Sequence, residues 1–226
     1  MILIIRGHIR NSFENKDLYN LIKKINIMFP GLKIFIHTWK IFSNNISWRK
    51  INIDNRVVNE QIIYDYFDDL KYLIKHIIID DDKRINLIGN LRGNIGNSLM
   101  PTIGWKNYWY GKHKIINYIR NLNIDENENI VNFRFDLMKN SNSFNNTTII
   151  NFIKKNSNTT FTKNIFLFND ERHCGIDNIY MGNIKTMYKL IDIFFYKLDD
   201  ILINNSNIRN QEFLVYRINN IINIIE

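Results

Sequence analysis

The chain has 226 residues, 45% of them hydrophobic and 13% aromatic, which is enough for one sizeable core, short for two full domains, and too apolar for a disordered chain. Its 30 Lys and Arg against 22 Asp and Glu give a net charge of +8, which favours anionic partners such as nucleotides, nucleic acid or acidic lipid surfaces without choosing among them. The single cysteine, Cys174, excludes an intramolecular disulfide framework and a cysteine-only zinc site, and is compatible with a reducing compartment.

Asn and Ile are abundant, alanine is absent, and there are 2 prolines and 9 glycines, a pattern of AT-rich coding bias rather than of prion-like disorder. The opening MILIIRGHIR reaches Arg6 too soon for a signal-peptide core or a membrane span. The expectation is a soluble, cytoplasmic protein with no transmembrane segment.

Ile2 to Ile5 reads as a short buried strand that breaks at Gly7 into His8, Ile9, Arg10, Asn11 and Ser12. A first strand running into a glycine turn is where α/β nucleotide folds begin to hold their ligand. Gly7 lets backbone amides approach an anion, and Arg10 offers phosphate a bidentate fork. No GxGxxG or Walker pattern follows, which excludes a dinucleotide fingerprint and a P-loop. The structural alternative is a glycine turn with a solvated arginine.

Asp17 to Met28 carries a helical period in Leu18, Leu21, Ile22, Ile25 and Met28, stopped by Pro30-Gly31. Leu32 to Ile36 is the next strand and delivers His37, Thr38 and Trp39 at its carboxyl end, where Trp39 either stacks a base or joins the core. Ser43 to Arg56, with Trp48 and Arg49, reads as a polar loop on the crevice side. Glu60 to Leu73 reads as one helix. Ile77 to Ile79 ends in Asp80-Asp81-Asp82, which looks like a metal motif but follows the third strand. A solvated turn is the expectation there.

Asn86 to Pro101 is a glycine- and asparagine-rich connection from which Arg92 can reach phosphate. Trp105 to Leu122 reads as an aromatic helix interrupted at Gly111. Asn129 to Met138, NIVNFRFDLM, then supplies the fourth strand. Alternation puts Arg134 and Asp136 on one side and Phe135 on the other, so a cation and a carboxylate stand at a strand's carboxyl end, facing the ligand crevice of an open α/β sheet. The structural alternative is an Arg–Asp pair closing the strand.

Lys139 to Thr160 is poor in pattern apart from Ile149 to Ile153 and reads as a flexible crossing segment. Asn164 to Phe168 reads as a fifth strand leading into Asn169, Asp170, Glu171, Arg172 and His173. GIDNIYMG, 175–182, then puts Asp177 ahead of a turn and of a helix from Ile184 to Phe195, where the dipole end favours an ionised carboxylate. An ordinary helix cap is the alternative for Asp177, and for Glu212 in the tail from Ile208.

The stretches IIRGHIRNS, FPGLKIFIHTW, NFRFD, GIDNIYMG and QEFLVYRI, in this order, resemble a family of small bacterial and large-virus glycosyltransferases related to lipopolysaccharide and capsule synthesis proteins of the WavE type. The resemblance implies a single GT-A-like α/β domain over 1–226, an open, twisted, mostly parallel sheet flanked by helices, with 1–138 as the nucleotide-binding half and 139–226 as the acceptor-side half. It implies sugar transfer from a nucleotide-sugar donor to a glycan or other hydroxyl acceptor. Arg134 and Asp136 fall at the metal-motif position, and Asp177 falls near the acceptor. Asp136 and Asp177 are then the catalytic candidates, with Gly7, His8, Arg10, Thr38, Trp39, Arg92 and Arg134 as donor-binding candidates. The familiar metal motif has two acids, and Arg134 takes the first place here, so Asp136 is the one candidate ligand for Mn²⁺ or Mg²⁺. Two other classes remain: a sugar-transferase fold kept as a binding or scaffold protein without turnover, and a nucleic-acid-binding module. The second lacks any RNP, helix-turn-helix, zinc-finger or KH signature, and no stable nucleic-acid partner is expected.

Overall fold

The computed structural model describes residues 1–47, 50–95, 98–141, 143–170, 172–173, 175–207 and 210–222. Trp48, Arg49, Glu171, Cys174 and Ile208 lie outside the described residues.

The chain runs through β1 (Ile2–Arg6), α1 (Asp17–Met28), β2 (Lys33–Trp39), β3 (Ile41–Ser43), β4 (Asp54–Val57), α2 (Glu60–Phe67), β5 (Ile74–Asp80) and α3 (Thr102–Arg120). It continues through β6 (Asn129–Arg134), α4 (Leu137–Asn140), α5 (Asn146–Asn156), β7 (Ile165–Phe166), β8 (Ile179–Asn183), α6 (Ile184–Asn204) and α7 (Gln211–Ile221). Six strands form one sheet in the order β5-β2-β1-β6-β8-β7, and β3 and β4 form a separate antiparallel pair. β5, β2, β1 and β6 are parallel, whereas β8 runs antiparallel to both β6 and β7. The result is an α/β fold with a mostly parallel sheet covered on both faces.

Strand alternation explains the two faces. In β1, Leu3 and Ile5 pack with Leu18, Leu21, Ile22 and Ile25 of α1, Ile63 and Phe67 of α2, and Ile149 and Ile153 of α5. Ile2 and Ile4 point the other way, toward Trp105, Trp109, Ile115 and Ile119 of α3 and Met187, Leu190 and Ile191 of α6. β6 repeats the rule, with Val131, Phe133 and Phe135 on the first side and Ile130 on the second. The polar Asn132 and Arg134 therefore share the α3 side with Arg6.

Several expectations change once tertiary contacts are included. The segment from Ser43 to Arg56 is not wholly loop, because its ends pair as β3 and β4. The helix from Glu60 gives way at Asp68, which has a positive φ of 51°, to a 3₁₀ turn over Asp68–Leu73. Lys139 to Thr160 holds α5, capped by Asn145 through the Thr148 amide, and Ile149 and Ile153 are fully buried. Gly111 does not interrupt α3. It lies where the helix crosses His37, and a Cβ there would come within 2.5 Å of the imidazole. No helix among the described residues is long and apolar enough to cross a membrane.

The largest difference concerns GIDNIYMG. Asp177 sits in a single 3₁₀ turn, Ile176–Asn178, and the next element is strand β8 rather than a helix. The helix start is at Asn183, whose side chain accepts from the Thr186 amide in a capping box. Asp177 is thus neither at that helix terminus nor its cap, and the dipole argument does not apply to it.

Candidate functional site

β1 is followed by β2 and β5 on one side of it, and the chain then returns to lay β6 on the other. The carboxyl ends of β1 and β6 thus flank a topological switch point, where crossovers diverge and leave a crevice. Arg6 stands in register with Arg134 at this edge. Because β8 is antiparallel, its amino end reaches the same edge, with Ile179 opposite Phe133. That reversal is what delivers Asp177.

A solvent-open cleft of about 120 Å³ lies here, bordered by Arg6, Gly7, His8, Arg10, Trp39, Asn107, Tyr108, Arg134, Asp177, Asn178 and Glu212. Gly7 makes the turn after β1 with φ of 94°, a conformation glycine adopts without steric cost, and its amide donates to the His37 carbonyl at 3.0 Å. Thr38 is buried, and its hydroxyl donates to the Gly7 carbonyl at 3.0 Å, so it shapes the turn from behind without bordering the cleft. The His8 ring meets the Ile41 carbonyl at 3.1 Å, and burial pushes its pKa down to about 4, leaving a neutral imidazole. Trp39 is buried and stacks with Tyr110 at 6.2 Å. Arg92 is exposed on the long connection before α3 and does not border the cleft.

Arg134 and Asp136 form the centre. Arg134 Nε donates to Asp136 Oδ1 and Nη2 to Oδ2, both at 2.8 Å, while Arg10 Nη1 donates to Oδ2 at 2.5 Å. Burial alone would raise the Asp136 carboxyl, but the charges and hydrogen bonds of Arg134 and Arg10 outweigh it and hold the pKa at about 2. The sequence makes Asp136 a candidate ligand for Mn²⁺ or Mg²⁺. Both of its oxygens already face guanidinium groups, and a divalent cation there would sit against two fixed positive charges. Among the described residues no group of three or more His, Cys, Asp or Glu side chains is arranged to hold a metal. This donor set does not fit the ion.

Asp177 is held through its backbone: its carbonyl accepts from Arg6 Nη2 at 2.8 Å and from the Tyr108 hydroxyl at 3.0 Å. Gly175, at φ of 79°, opens this turn, and a Cβ there would come within 2.4 Å of the Asn178 amide group. Glu212 at the start of α7 accepts from the Gly175 amide and pins the turn from outside, a role beyond helix capping. Asn178 Oδ1 accepts from Arg134 Nη1 at 3.3 Å, which links this turn to the arginine pair.

Arg6, Asn107, Tyr108 and Asn178 join the site without having been anticipated as site residues. Arg6 is 2% exposed, donates from Nε to Asn132 Oδ1 at 2.6 Å, and lies over the Tyr108 ring at 4.4 Å. Beneath it Lys112 is fully buried against Tyr108 and Trp109, at 4.0 and 4.1 Å. Burial, reinforced by Arg6, pushes its amine well below the ordinary lysine value. Alternation along NIVNFR already put Asn132 on the Arg134 face, and this was the available signal for a polar floor. The Asp80 to Asp82 run is not simply solvated: Asp80 accepts from His37 Nε2 at 3.2 Å and Asn44 donates to Asp82 at 2.5 Å.

In comparisons with known proteins, the chain matches no family model, no curated protein and no solved structure.

Proposed function

We propose that the chain is a cytoplasmic, nucleotide-sugar-dependent glycosyltransferase of GT-A type, acting on a glycan or other hydroxyl acceptor. One observation carries the reading: three guanidinium groups, those of Arg6, Arg10 and Arg134, converge with two buried carboxylates at the switch point of a mostly parallel sheet. A nucleoside diphosphate leaving group gathers negative charge as its bond to the sugar breaks, and fixed cations in a partly dry cleft stabilise that charge. In an inverting transfer the acceptor oxygen attacks the anomeric carbon, the carbon–oxygen bond to the diphosphate breaks, and the electron pair leaves with the diphosphate. The acceptor proton goes to a base.

Asp177 is the better base of the two acids. Asp136 is acidic and engaged at both oxygens, so its role is to hold Arg10 and Arg134 in place. Asp177 borders the same cleft as the three arginines, and the bonds to its carbonyl fix its position there.

The engagement of Asp136 also favours a second reading, a sugar-transferase fold that binds nucleotides without turning them over. A thermal-shift panel of nucleoside diphosphates and nucleotide sugars, followed by assay of nucleoside diphosphate release, separates the two. A ligand at about 100 times its dissociation constant stabilises by about 2.7 kcal/mol. Stabilisation with release supports transfer, stabilisation without release across an acceptor panel supports the binding protein, and no stabilisation by any nucleotide overturns both.

A further inference from the structure

We propose that this cleft grips a diphosphate through guanidinium groups alone, with Arg6 as the anchor and without a divalent cation. The inference rests on the donor-site reading above and adds to it the chemistry of the grip.

Arg6 carries five N–H donors in a fixed fork. Arg6 borders the cleft; its Nε is committed to Asn132 and its Nη2 to the Asp177 carbonyl, while Nη1 is buried without an acceptor among the described residues. A buried, charged donor in that condition is costly unless an acceptor arrives, and an anion is the acceptor it suits best. Nearby, the Asn132 amide group and the Lys112 amine are likewise buried donors without acceptors among the described residues, so the floor under Arg6 has donors in excess.

The other half of the grip is Arg134 with Arg10. Asp136 orients both guanidinium groups, Arg134 through a bidentate pair and Arg10 through one bond from Nη1. A cation at Asp136 would have to compete with Arg134 and Arg10 for its oxygens and would sit against their two fixed charges. The amino end of α3 adds its positive dipole end, since Gly104, Trp105 and Asn107 border the cleft from the first turns of that 19-residue helix. Positive charge that other diphosphate sites draw from a metal is thus built into the chain here.

The test is calorimetric titration of the intact chain with inorganic pyrophosphate, orthophosphate and a set of nucleoside diphosphates, each in EDTA and in Mn²⁺. The expected result is pyrophosphate and nucleotide binding that persists in EDTA and exceeds orthophosphate binding. Arg6→Lys keeps a charge and loses the fork, and should weaken pyrophosphate in EDTA by about tenfold to a hundredfold. Circular dichroism and melting of that variant check that it folds; should it fail to fold, Arg134→Lys serves in its place with the same expectation. Asp136→Asn loosens the hold on Arg134 and Arg10 and should weaken pyrophosphate by the same factor in EDTA and in Mn²⁺, because no cation is held there. Binding that requires Mn²⁺, or a loss in Asp136→Asn that is seen in Mn²⁺ and not in EDTA, overturns the cation-free grip while leaving the transferase reading intact. Orthophosphate bound as tightly as pyrophosphate overturns the two-phosphate assignment. Pyrophosphate bound in EDTA with no nucleotide bound at all sustains the grip and overturns the transferase reading.

Discussion

Arg134 closes on Asp136 with two parallel hydrogen bonds of 2.8 Å, although the two residues are separated in sequence only by Phe135, which turns the opposite way into the core. The pair is local in sequence but is half-buried by distant elements, since Arg10 from the β1 turn completes it and Asn178 from the turn before β8 touches it. Removing one partner leaves the others uncompensated. Asp136→Asn should therefore destabilise the fold by about 3 kcal/mol, measured by denaturant unfolding. A change within about 0.5 kcal/mol would show the pair to be as weakly coupled as an exposed one.

Stability should fall in acid in two stages. The folded pKa of His8 is depressed to about 4, so its neutral ring contributes stability above the ordinary histidine value of about 6.5. That contribution is lost as pH falls from about 6.5 to about 4. The folded pKa of Asp136 is depressed to about 2, so its contribution is complete above about 4 and is lost between about 4 and about 2. At 1.36 kcal/mol per pKa unit the second stage amounts to about 2 kcal/mol. Unfolding free energies from pH 8 to about pH 2 should steepen twice, and His8→Gln should flatten the upper stage alone. An upper stage unchanged in His8→Gln would assign it to another group, such as the buried His37, whose pKa is also lowered by burial.

Gly111→Ala should destabilise the chain although alanine is the better helix former by about 1 kcal/mol. The new Cβ would meet the His37 ring at 2.5 Å, and that ring is held by Asp80 at 3.2 Å and by the edge-on Trp39 at 5.0 Å. Overpacking of this kind costs about 1–3 kcal/mol, so it should outweigh the propensity gain. Denaturant midpoints decide the sign. A more stable variant would mean that the imidazole gives way easily.

Asp177→Asn should separate chemistry from binding. If the carboxylate accepts the acceptor proton, turnover drops by about 10²–10⁴ while nucleotide affinity changes little, because the bonds that hold the turn run to the backbone carbonyl and survive the substitution. Normal turnover with an earlier melt would make Asp177 a structural member of its turn.

Much of the structure over residues 1–138 was legible from the sequence because its signals are local. The α1 period between Asp17 and the Pro30-Gly31 stop predicts the observed helix at both ends, and alternation in NIVNFRF predicts which side chains of β6 meet the core. The neighbouring Arg134 and Asp136 needed no partner from afar to be noticed. Other features depend on segments far apart in the chain. GIDNIYMG reads as leading into a turn and a helix, yet Ile179–Asn183 becomes β8 through pairing with β6 about fifty residues earlier and β7 about fifteen earlier, which supply the hydrogen bonds a lone pentapeptide lacks. Arg6 looks like the polar end of a strand. It becomes a buried anchor only because Asn132, Tyr108 and the Asp177 carbonyl converge on it from three other elements. The sequence by itself determined the parallel strands and the residues at their carboxyl ends, since period and punctuation are local. Only the tertiary structure decided that Asp136 is an anchor for two arginines rather than an open carboxylate, because that depends on the charges folding brings within hydrogen-bond reach.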